Sequence, residues 1–554
     1  MKPTNGQPPA SGKRSAAPAL RVSRTAPLSK SVILLLFCIK GGTAFSGARG
    51  YHLTAQMRAT APDLRLRTPG GSFMAAGKGC SRRAFLQAGA VGLSAALLLP
   101  RRAWGANGDV RVAVIGCGNM GGGHVKHLAQ LPGVRLAGLC DVDPERLKGK
   151  ASEGVFTAND PRRILERNDV DAVVIATPDH WHATLTVWAC QAGKDVYVQK
   201  PVSHNIREGR RMIEAGLKYK RVVQAGTQYR SDEGLRQAAA DIQAGQLGKP
   251  LWGKAVWYEL RGSIGIKDPW MPAHLDYDLY CGPAPVEPLR RNQLHYDWHW
   301  VWSTGTGDLG NSGVHAFDIC RMIAGHRTLP PRAIAAGARL GYEDAGETPN
   351  THLAVLAYDS VPLFIEIRNL PLKKGMKAMG HFRGVQEGVV FQCEGGYFAG
   401  LRAGGWTYDN DGKKIKQYKG DGGAQHMANF LNAVRERKPE ILNAPIQEGH
   451  VSSACCHLGN LSCRLGAGAP PEAIREALKA HPEAAETVDR LKEHLAANEV
   501  DLARTPLKLG PWLKIDADRE EIVGVEGGMP EALTQARTLA RGTYRKGFEV
   551  PDSL

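Results

Sequence analysis

Val110-Arg111-Val112-Ala113-Val114-Ile115-Gly116-Cys117-Gly118-Asn119-Met120-Gly121 decides the fold. Its first half is a nearly continuous apolar run rich in β-branched residues, as a strand buried on both faces of a parallel sheet requires. Its second half fits G-x-G-x-x-G, and the spacing that follows predicts a helix to about Leu131. The order strand, glycine turn, helix gives the pattern its meaning. Gly116 allows the tight turn, Gly118 lets the backbone approach a pyrophosphate, and Gly121 permits close helix–strand packing. Free N–H groups and the dipole at the helix start, around Asn119 and Met120, favour the anion. Asp141 stands twenty residues past Gly121. A carboxylate there accepts hydrogen bonds from a ribose 2′-hydroxyl and repels a 2′-phosphate, which favours NAD over NADP.

Outward from this unit the chain alternates. Strands are expected at Val134–Cys140, 170–176, Asp195–Val198 and 222–226, with helices at 182–192 and Ile206–Lys218 between them. That order predicts an α/β fold, an N-terminal Rossmann doubly wound parallel sheet. After Gln228 the rhythm changes. A helix at 233–244 precedes half-buried alternating segments at 251–260, 353–358, 363–368 and 388–393, with helices near 313–324 and 426–437. These predict a C-terminal α+β domain on a mostly antiparallel open sheet. The expected organisation is a cofactor domain over 106–230, a substrate and oligomerisation domain over 231–466, and a helical or irregular extension over 467–554.

The whole-chain charge of +17 suggests a polyanion partner until it is localised. Sixteen of the 71 Lys and Arg and one of the 54 acids precede residue 106, so residues 106–554 hold 55 bases and 53 acids, a net of +2. The body is nearly neutral, no basic stripe interleaves with aromatics, and nucleic acid is excluded as a partner. The leader accounts for the rest. Ser81-Arg82-Arg83-Ala84-Phe85-Leu86-Gln87 is a twin-arginine signature, followed by the weakly apolar run Ala88–Pro100 and the small-x-small site Ala103-Trp104-Gly105. Residues 74–105 therefore read as a twin-arginine signal peptide, implying the twin-arginine export machinery as partner and a periplasmic address for the folded protein. Residues 1–73, biased to Pro, Gly and Arg, read as an over-extended gene start, with translation beginning at Met74. Neither 31–39 nor 88–100 is long enough for a membrane span. The eleven cysteines show no C-x-x-C pair and read as buried free thiols, and no zinc-type spacing is present.

Two further motifs carry the chemistry. They are Ala176-Thr177-Pro178-Asp179-His180-Trp181-His182 and Tyr197-Val198-Gln199-Lys200-Pro201. With the glycine turn, with Leu275-Asp276-Tyr277-Asp278-Leu279 before Gly282-Pro283, and with Gly307–His315, the chain resembles the glucose–fructose oxidoreductase and inositol dehydrogenase (Gfo/Idh/MocA) family from about Val110 to Gly466. The resemblance implies that Thr177, Pro178 and His182 form the turn over the nicotinamide half of NAD. It implies that Lys200 touches nicotinamide and substrate hydroxyl, that His315 is the proton acceptor, and that the second domain's open sheet pairs with a copy of itself in a homo-oligomer. The sequence departs from the family pattern twice. Gln199 replaces the Glu of Glu-Lys-Pro, and Asn311 replaces the Asp of Asp-x-x-x-His. Both keep hydrogen-bonding capacity and lose a charge.

The chemistry stands apart from the resemblance. Oxidising a secondary alcohol sends a hydride to nicotinamide and a proton to a base, and histidine titrates in the right range. A nearby ammonium favours the developing charge on oxygen. Lys200 and His315 supply that pair, with Asn311 beside them. The aromatic run Trp298-His299-Trp300-Val301-Trp302 suits sugar rings or a core equally. Asp179, His180 and His182 find no further ligand at metal spacing, so no metal is expected. The expected reaction is hydride transfer between NAD and a sugar, cyclitol or glycoside. A tightly held cofactor is required where free NAD is scarce. The alternatives are a redox-assisted glycosidase or lyase, and a non-catalytic sensor of sugar or cofactor.

Overall fold

The computed structural model describes residues 108–527 and 530–554. The twin-arginine motif and the expected start at Met74 lie outside the described residues.

The glycine turn joins β1 (Val110–Ile115) to α1 (Asn119–Leu128). The helix stops three residues before the expected end because Leu131 precedes Pro132, and a residue before proline disfavours helical backbone. The first domain continues through β2 (Val134–Cys140), β3 (Phe156–Ala158), α2 (Pro161–Leu165), β4 (Ala172–Ile175), α3 (His182–Gln191), β5 (Asp195–Val198), α4 (Ile206–Lys218) and β6 (Val223–Ala225). The strands lie in the order β3-β2-β1-β4-β5-β6, all parallel. This is the doubly wound Rossmann sheet. Its order reverses between β1 and β4, where a crevice opens at the carboxyl ends of the strands. Both faces of β1 are buried, as its composition predicts. Ala113 and Ile115 face a core with Val173, Leu185 and Met212, while Val112 and Val114 meet Phe430 and Leu431. The latter pair comes from a helix far along the chain that returns to cover this face.

The second domain begins with α5 (Glu233–Gln243) and β7 (Pro250–Tyr258), and reaches α6 (Tyr277–Cys281) after a long excursion. A π-helical turn, Leu309–Gly313, leads into α7 (Val314–Ala324). Then come β8 (Arg332–Ala338), β9 (Thr351–Ala357), β10 (Leu363–Arg368), β11 (Glu387–Cys393), β12 (Gly396–Leu401), β13 (Gly404–Tyr408) and β14 (Lys414–Lys419), followed by α8 (His426–Glu436), the returning helix, and the buried α9 (Ile446–Arg464). The sheet order runs β14-β13-β12-β11-β7-β10-β9-β8. It is antiparallel except that β7 and β10 pair in parallel.

Beyond Arg464 the chain is more ordered than its weak patterning suggests. Strands β15 (Ala467–Ala469), β16 (Leu507–Leu509), β17 (Leu513–Asp516) and β18 (Glu521–Val525) extend the second sheet, with both β16 and β17 pairing to β8. The charged stretch forms two helices, α10 (Pro471–Ala477) and α11 (Pro482–Ala497), and α12 (Pro530–Arg541) follows. The cysteines of the described residues are all free and buried. Among these residues no helix is long and apolar enough to cross a membrane.

Candidate active site

At the carboxyl ends of β1, β4 and β5 lies a cavity of about 650 Å3. Its floor is the glycine turn. Gly116 has φ +87°, and a Cβ there would stand 2.6 Å from the Ala176 carbonyl. At Gly121 a Cβ would stand 1.7 Å from the Gly116 carbonyl oxygen, whereas at Gly118 it would meet nothing within 4 Å. The turn is closed against protein on two sides and open towards the cavity. The N-cap of α1 is Gly118, which offers no side-chain cap, so backbone N–H groups at the helix start stay available. Asp141 lines the same cavity, with one carboxylate oxygen 2.7 Å from the Cys117 N–H and the other 3.0 Å from that of Asp143. It braces the turn and presents a carboxylate where a ribose diol would lie. The Thr177 hydroxyl is buried without a partner beside this space. A nicotinamide dinucleotide fits the unfilled donors, the open Gly118 and the orphaned hydroxyl.

His182 lines the cavity beside Thr177 and Pro178. It is buried, with Nδ1 2.7 Å from the Pro201 carbonyl and Nε2 2.9 Å from that of Thr177. The ring lies between the Thr177–Pro178 turn and the loop that carries Lys200, and burial pushes its pKa down to about 4, so the neutral ring donates its single N–H to one of the two carbonyls.

Both replaced carboxylates have a structural account. The Gln199 amide donates to His124 Nε2 at 2.6 Å, and burial holds His124 down at about 4. A neutral amide suits a neutral imidazole. Asn311 sits in the π-helical turn, where its carbonyl and amide oxygens accept from the Lys200 ammonium at 2.6 and 3.0 Å. The Asn311 amide N–H donates in turn to Asp308 at 3.2 Å. Asp308 is fully buried. It also takes the Arg261 guanidinium at 3.1 Å and the Asn369 amide at 2.6 Å. The negative charge missing at 311 therefore stands one turn earlier, linked to Lys200 through the Asn311 amide. Burial lowers the Lys200 pKa, against the pull of Asp179 and Asp308.

His315 lies on α7 beyond Asn311, packed between Trp257 and the edge of Tyr229, with Nδ1 buried and unpartnered. Burial, aided by the Lys200 charge, holds it well below its ordinary value, so the ring is neutral. Lys200, Asn311, Gln199, Thr177 and Pro178 line the cavity, and His315 is not part of that lining.

The cavity's roof comes from the second domain. His295, Tyr296, Trp298 and His299 line it, while Trp300 is buried. Tyr296 has φ +72° and a backbone bond joins Asp297 to the His295 carbonyl, a γ-turn of the strained hand. Two contacts hold that turn. Arg261 donates to the Tyr296 hydroxyl at 2.5 Å, and His295 Nε2 meets Asp143 at 2.8 Å, tying the roof to the Rossmann domain. His274 approaches the same carboxylate, so three ligating atoms lie within 4.8 Å of one another. His299 gives its Nδ1–H to the Tyr296 carbonyl, which leaves Nε2 as an acceptor. Asp179 receives the Thr306 hydroxyl at 2.8 Å, and burial drives its carboxyl upward. Asp308 stands in the Gly307–His315 stretch with no role the sequence assigns, and Arg261, Asp143 and Thr306 were not legible there, because the residues they meet lie 47, 152 and 127 positions away.

The comparisons agree with this geometry. Residues 110–227 match the model of the GFO_IDH_MocA oxidoreductase family, described as an NAD-binding Rossmann fold, and residues 246–359 match that family's C-terminal alpha/beta domain. The first domain is thus an NAD-binding domain. Among curated proteins the chain is similar to scyllo-inositol 2-dehydrogenase (NAD(+)) of Bacillus subtilis, 34% identical over 26% of this chain and 44% of that protein. It is also similar to a glycosyl hydrolase family 109 protein of Shewanella pealeana, 30% identical over 27% of this chain and 36% of that protein. The matched part spans less than half the length of these relatives. A solved structure, the WlbA dehydrogenase from Bordetella pertussis in complex with NADH and UDP-GlcNAcA, is 20% identical, covering 64% of this chain and 97% of that one with a TM-score of 0.49.

Proposed function

We propose, from the premise that the chain belongs to the Gfo/Idh/MocA oxidoreductase family through residues 110–227 and 246–359, that it transfers hydride between a secondary hydroxyl of a sugar, cyclitol or glycoside and a tightly held NAD. One observation carries the reading. The dinucleotide turn, Asp141 and the Lys200–Asn311 pair line a single cavity.

When bound, NAD supplies the hydride acceptor or donor. The residues supply the rest. The Lys200 ammonium has three N–H donors and spends two on Asn311. The third holds the alcohol oxygen and favours its developing negative charge. The proton passes to a neutral imidazole. The family resemblance assigns this role to His315. His299 is the second candidate, because it lines the cavity and keeps Nε2 as an acceptor. The roof pinned by Arg261 and His295 encloses the site and slows cofactor loss.

Mass spectrometry of cofactor released from desalted protein, coupled to a screen of sugars and cyclitols by nicotinamide absorbance, tests the reading. Bound NAD that a polyol reduces is expected. Protein that carries no dinucleotide and turns over no polyol would refute it. A redox-assisted glycosidase is a second reading, favoured by the glycosyl hydrolase family 109 relative. Nitrophenyl glycosides cleaved without net NAD consumption would select it.

We further propose export by the twin-arginine route to the periplasm, supported by Ser81–Gln87 and the segment behind it. Replacing Arg82 and Arg83 by Lys is expected to leave the protein in the cytoplasm on fractionation. A homo-oligomer paired through the second domain's sheet, as the resemblance implies, is expected in sedimentation.

A further inference from the structure

A second cavity, of about 430 Å3, lies on the other side of the Asp179–Thr306 contact. One wall is a face of α9, where His457, Asn460, Leu461 and Arg464 recur at the i, i+3, i+4, i+7 spacing of a helix stripe. The opposite wall is the last turn of α12 and the residues just after it, 538–544, outside the residues that the family models match. Trp302, the last residue of the aromatic run, also lines this cavity.

The wall holds polar groups with bonding capacity left over. Asn460 is 5% exposed, donates its amide N–H to the Thr306 carbonyl at 2.8 Å, and leaves its amide oxygen buried without a partner. Such an acceptor is costly when unmet, and a donor on a ligand in this cavity would satisfy it. His457 gives Nε2–H to the Ser203 carbonyl at 3.0 Å, which leaves Nδ1 as a lone-pair acceptor. At the rim the Arg464 guanidinium stacks 4.8 Å from the Trp302 ring. It makes no hydrogen bond or ion pair with the described residues. Glu347 is the nearest carboxylate acting on it, and that side chain is engaged by the Trp302 N–H at 2.7 Å. Glu208, deeper in the wall, accepts the Tyr544 hydroxyl at 3.1 Å, and burial pushes it up to about 7.

We propose that this cavity binds a polyhydroxy carboxylate, a sugar acid, with the carboxylate on Arg464 and ligand hydroxyls donating to Asn460 Oδ1 and His457 Nδ1. Among the described residues of the wall, Arg464 is the cation that makes no ion pair, and its guanidinium matches a carboxylate fork. The two unmet acceptors ask for hydroxyl donors, and the Trp302, Pro283 and Leu539 side chains offer apolar surface to the C–H face of a ring. The volume is within the range of small-molecule sites. The inference is independent of the reaction assigned to the cofactor cleft.

Titration calorimetry of the full chain with D-glucuronate tests it, with glucose and acetate as controls. One saturable site is expected, with both controls at least about tenfold weaker. Arg464→Gln, at an exposed position with no bonds to lose, is expected to weaken glucuronate at least tenfold while Lys200→Met leaves it unchanged. No binding of glucuronate overturns the proposal, as does glucose binding equally well. Loss of binding in Lys200→Met but not in Arg464→Gln also overturns it, by placing the sugar acid in the cofactor cleft.

Discussion

The floor and the roof of the cofactor cleft are built on opposite principles. The floor is backbone. Gly118 opens the helix start to the cavity, while Gly116 and Gly121 tolerate no side chain against the protein, since a Cβ at 121 would overlap a carbonyl at 1.7 Å. The roof and the Lys200 wall are side chains whose order depends on buried charge, with Asp308 receiving Arg261, Asn311 and Asn369 at once. Shape alone suffices to hold a cofactor that is the same in every turnover. Placing a proton and a developing charge requires a field, and fields are built from ions and dipoles. The floor should therefore fail by sterics at every pH, and the roof by charge with a pH signature.

The largest expected effect is on the floor. Gly121→Val pushes a branched side chain into the Gly116 carbonyl and the Ala176 methyl, with no flexible neighbour to yield. A loss above about 4 kcal/mol is expected, read as failure to recover soluble protein carrying NAD. Soluble Gly121→Val with its cofactor would break the comparison. Next is Lys200→Met, which removes a donor from the reacting oxygen and leaves the floor intact. A fall of about 10^2–10^3 in kcat is expected, with cofactor retention unchanged. Loss of cofactor and turnover together would make Lys200 part of the floor.

Asp308→Asn sharpens the comparison because it alters charge without shape. It strips Arg261 of its buried partner while Glu259, 2.7 Å from the guanidinium, remains. About 3 kcal/mol of stability is expected to go, the low end for breaking a buried pair, measured by denaturant titration. A second readout separates charge from packing. Asp308 raises the Lys200 pKa, so its removal lets Lys200 lose its proton at lower pH. The alkaline limb of the rate profile should move towards neutrality. An unmoved limb would reduce Asp308 to a packing role.

The same contrast explains what the sequence disclosed. The floor is local. Strand, turn, helix and Asp141 fall within 32 residues, and their periodicity and spacing are physical requirements visible one segment at a time. The doubly wound parallel sheet followed from that rhythm, as did the antiparallel character of the second domain, whereas the short edge strand β3 did not. The parallel pairing of β7 with β10 did not, because pairing partners leave no mark within a strand. The roof is non-local. Arg261 and Asp308 are 47 residues apart, and Gln199 and His124 are 75 apart. The aromatic run was visible, but not that the chain divides it, with Trp298 and His299 in the cofactor cleft and Trp302 in the second cavity. The strands β15–β18 leave little mark in the sequence because they are short and two of them, β16 and β17, take their place from pairing with the distant β8.

The smallest expected effect lies where floor and wall meet, at Gln199. Its amide N–H points at the His124 lone pair at 2.6 Å, and burial holds His124 neutral, down at about 4. The unfolded imidazole has its ordinary value of about 6.5. As pH falls from 6.5 towards 4 the unfolded chain binds a proton that the native ring refuses, and stability is lost over that window. In Gln199→Glu the donor is gone, and a carboxylate faces the ring. The ring now gains by binding a proton, so its folded pKa rises and the acid penalty shrinks. Above the new pKa the neutral ring keeps that contact only by moving its single proton to Nε2, the carboxylate loses its charged partner, and stability falls as pH rises. The variant should be about 1–2 kcal/mol less stable than the parent at pH 8, with the gap closing or reversing at pH 5. Denaturant midpoints at the two pH values, with an NMR titration of the His124 ring, measure this. A gap of equal size at both pH values would mean that Gln199 contributes shape, as the glycines do, and that the border between floor and roof lies further along the chain, at Lys200.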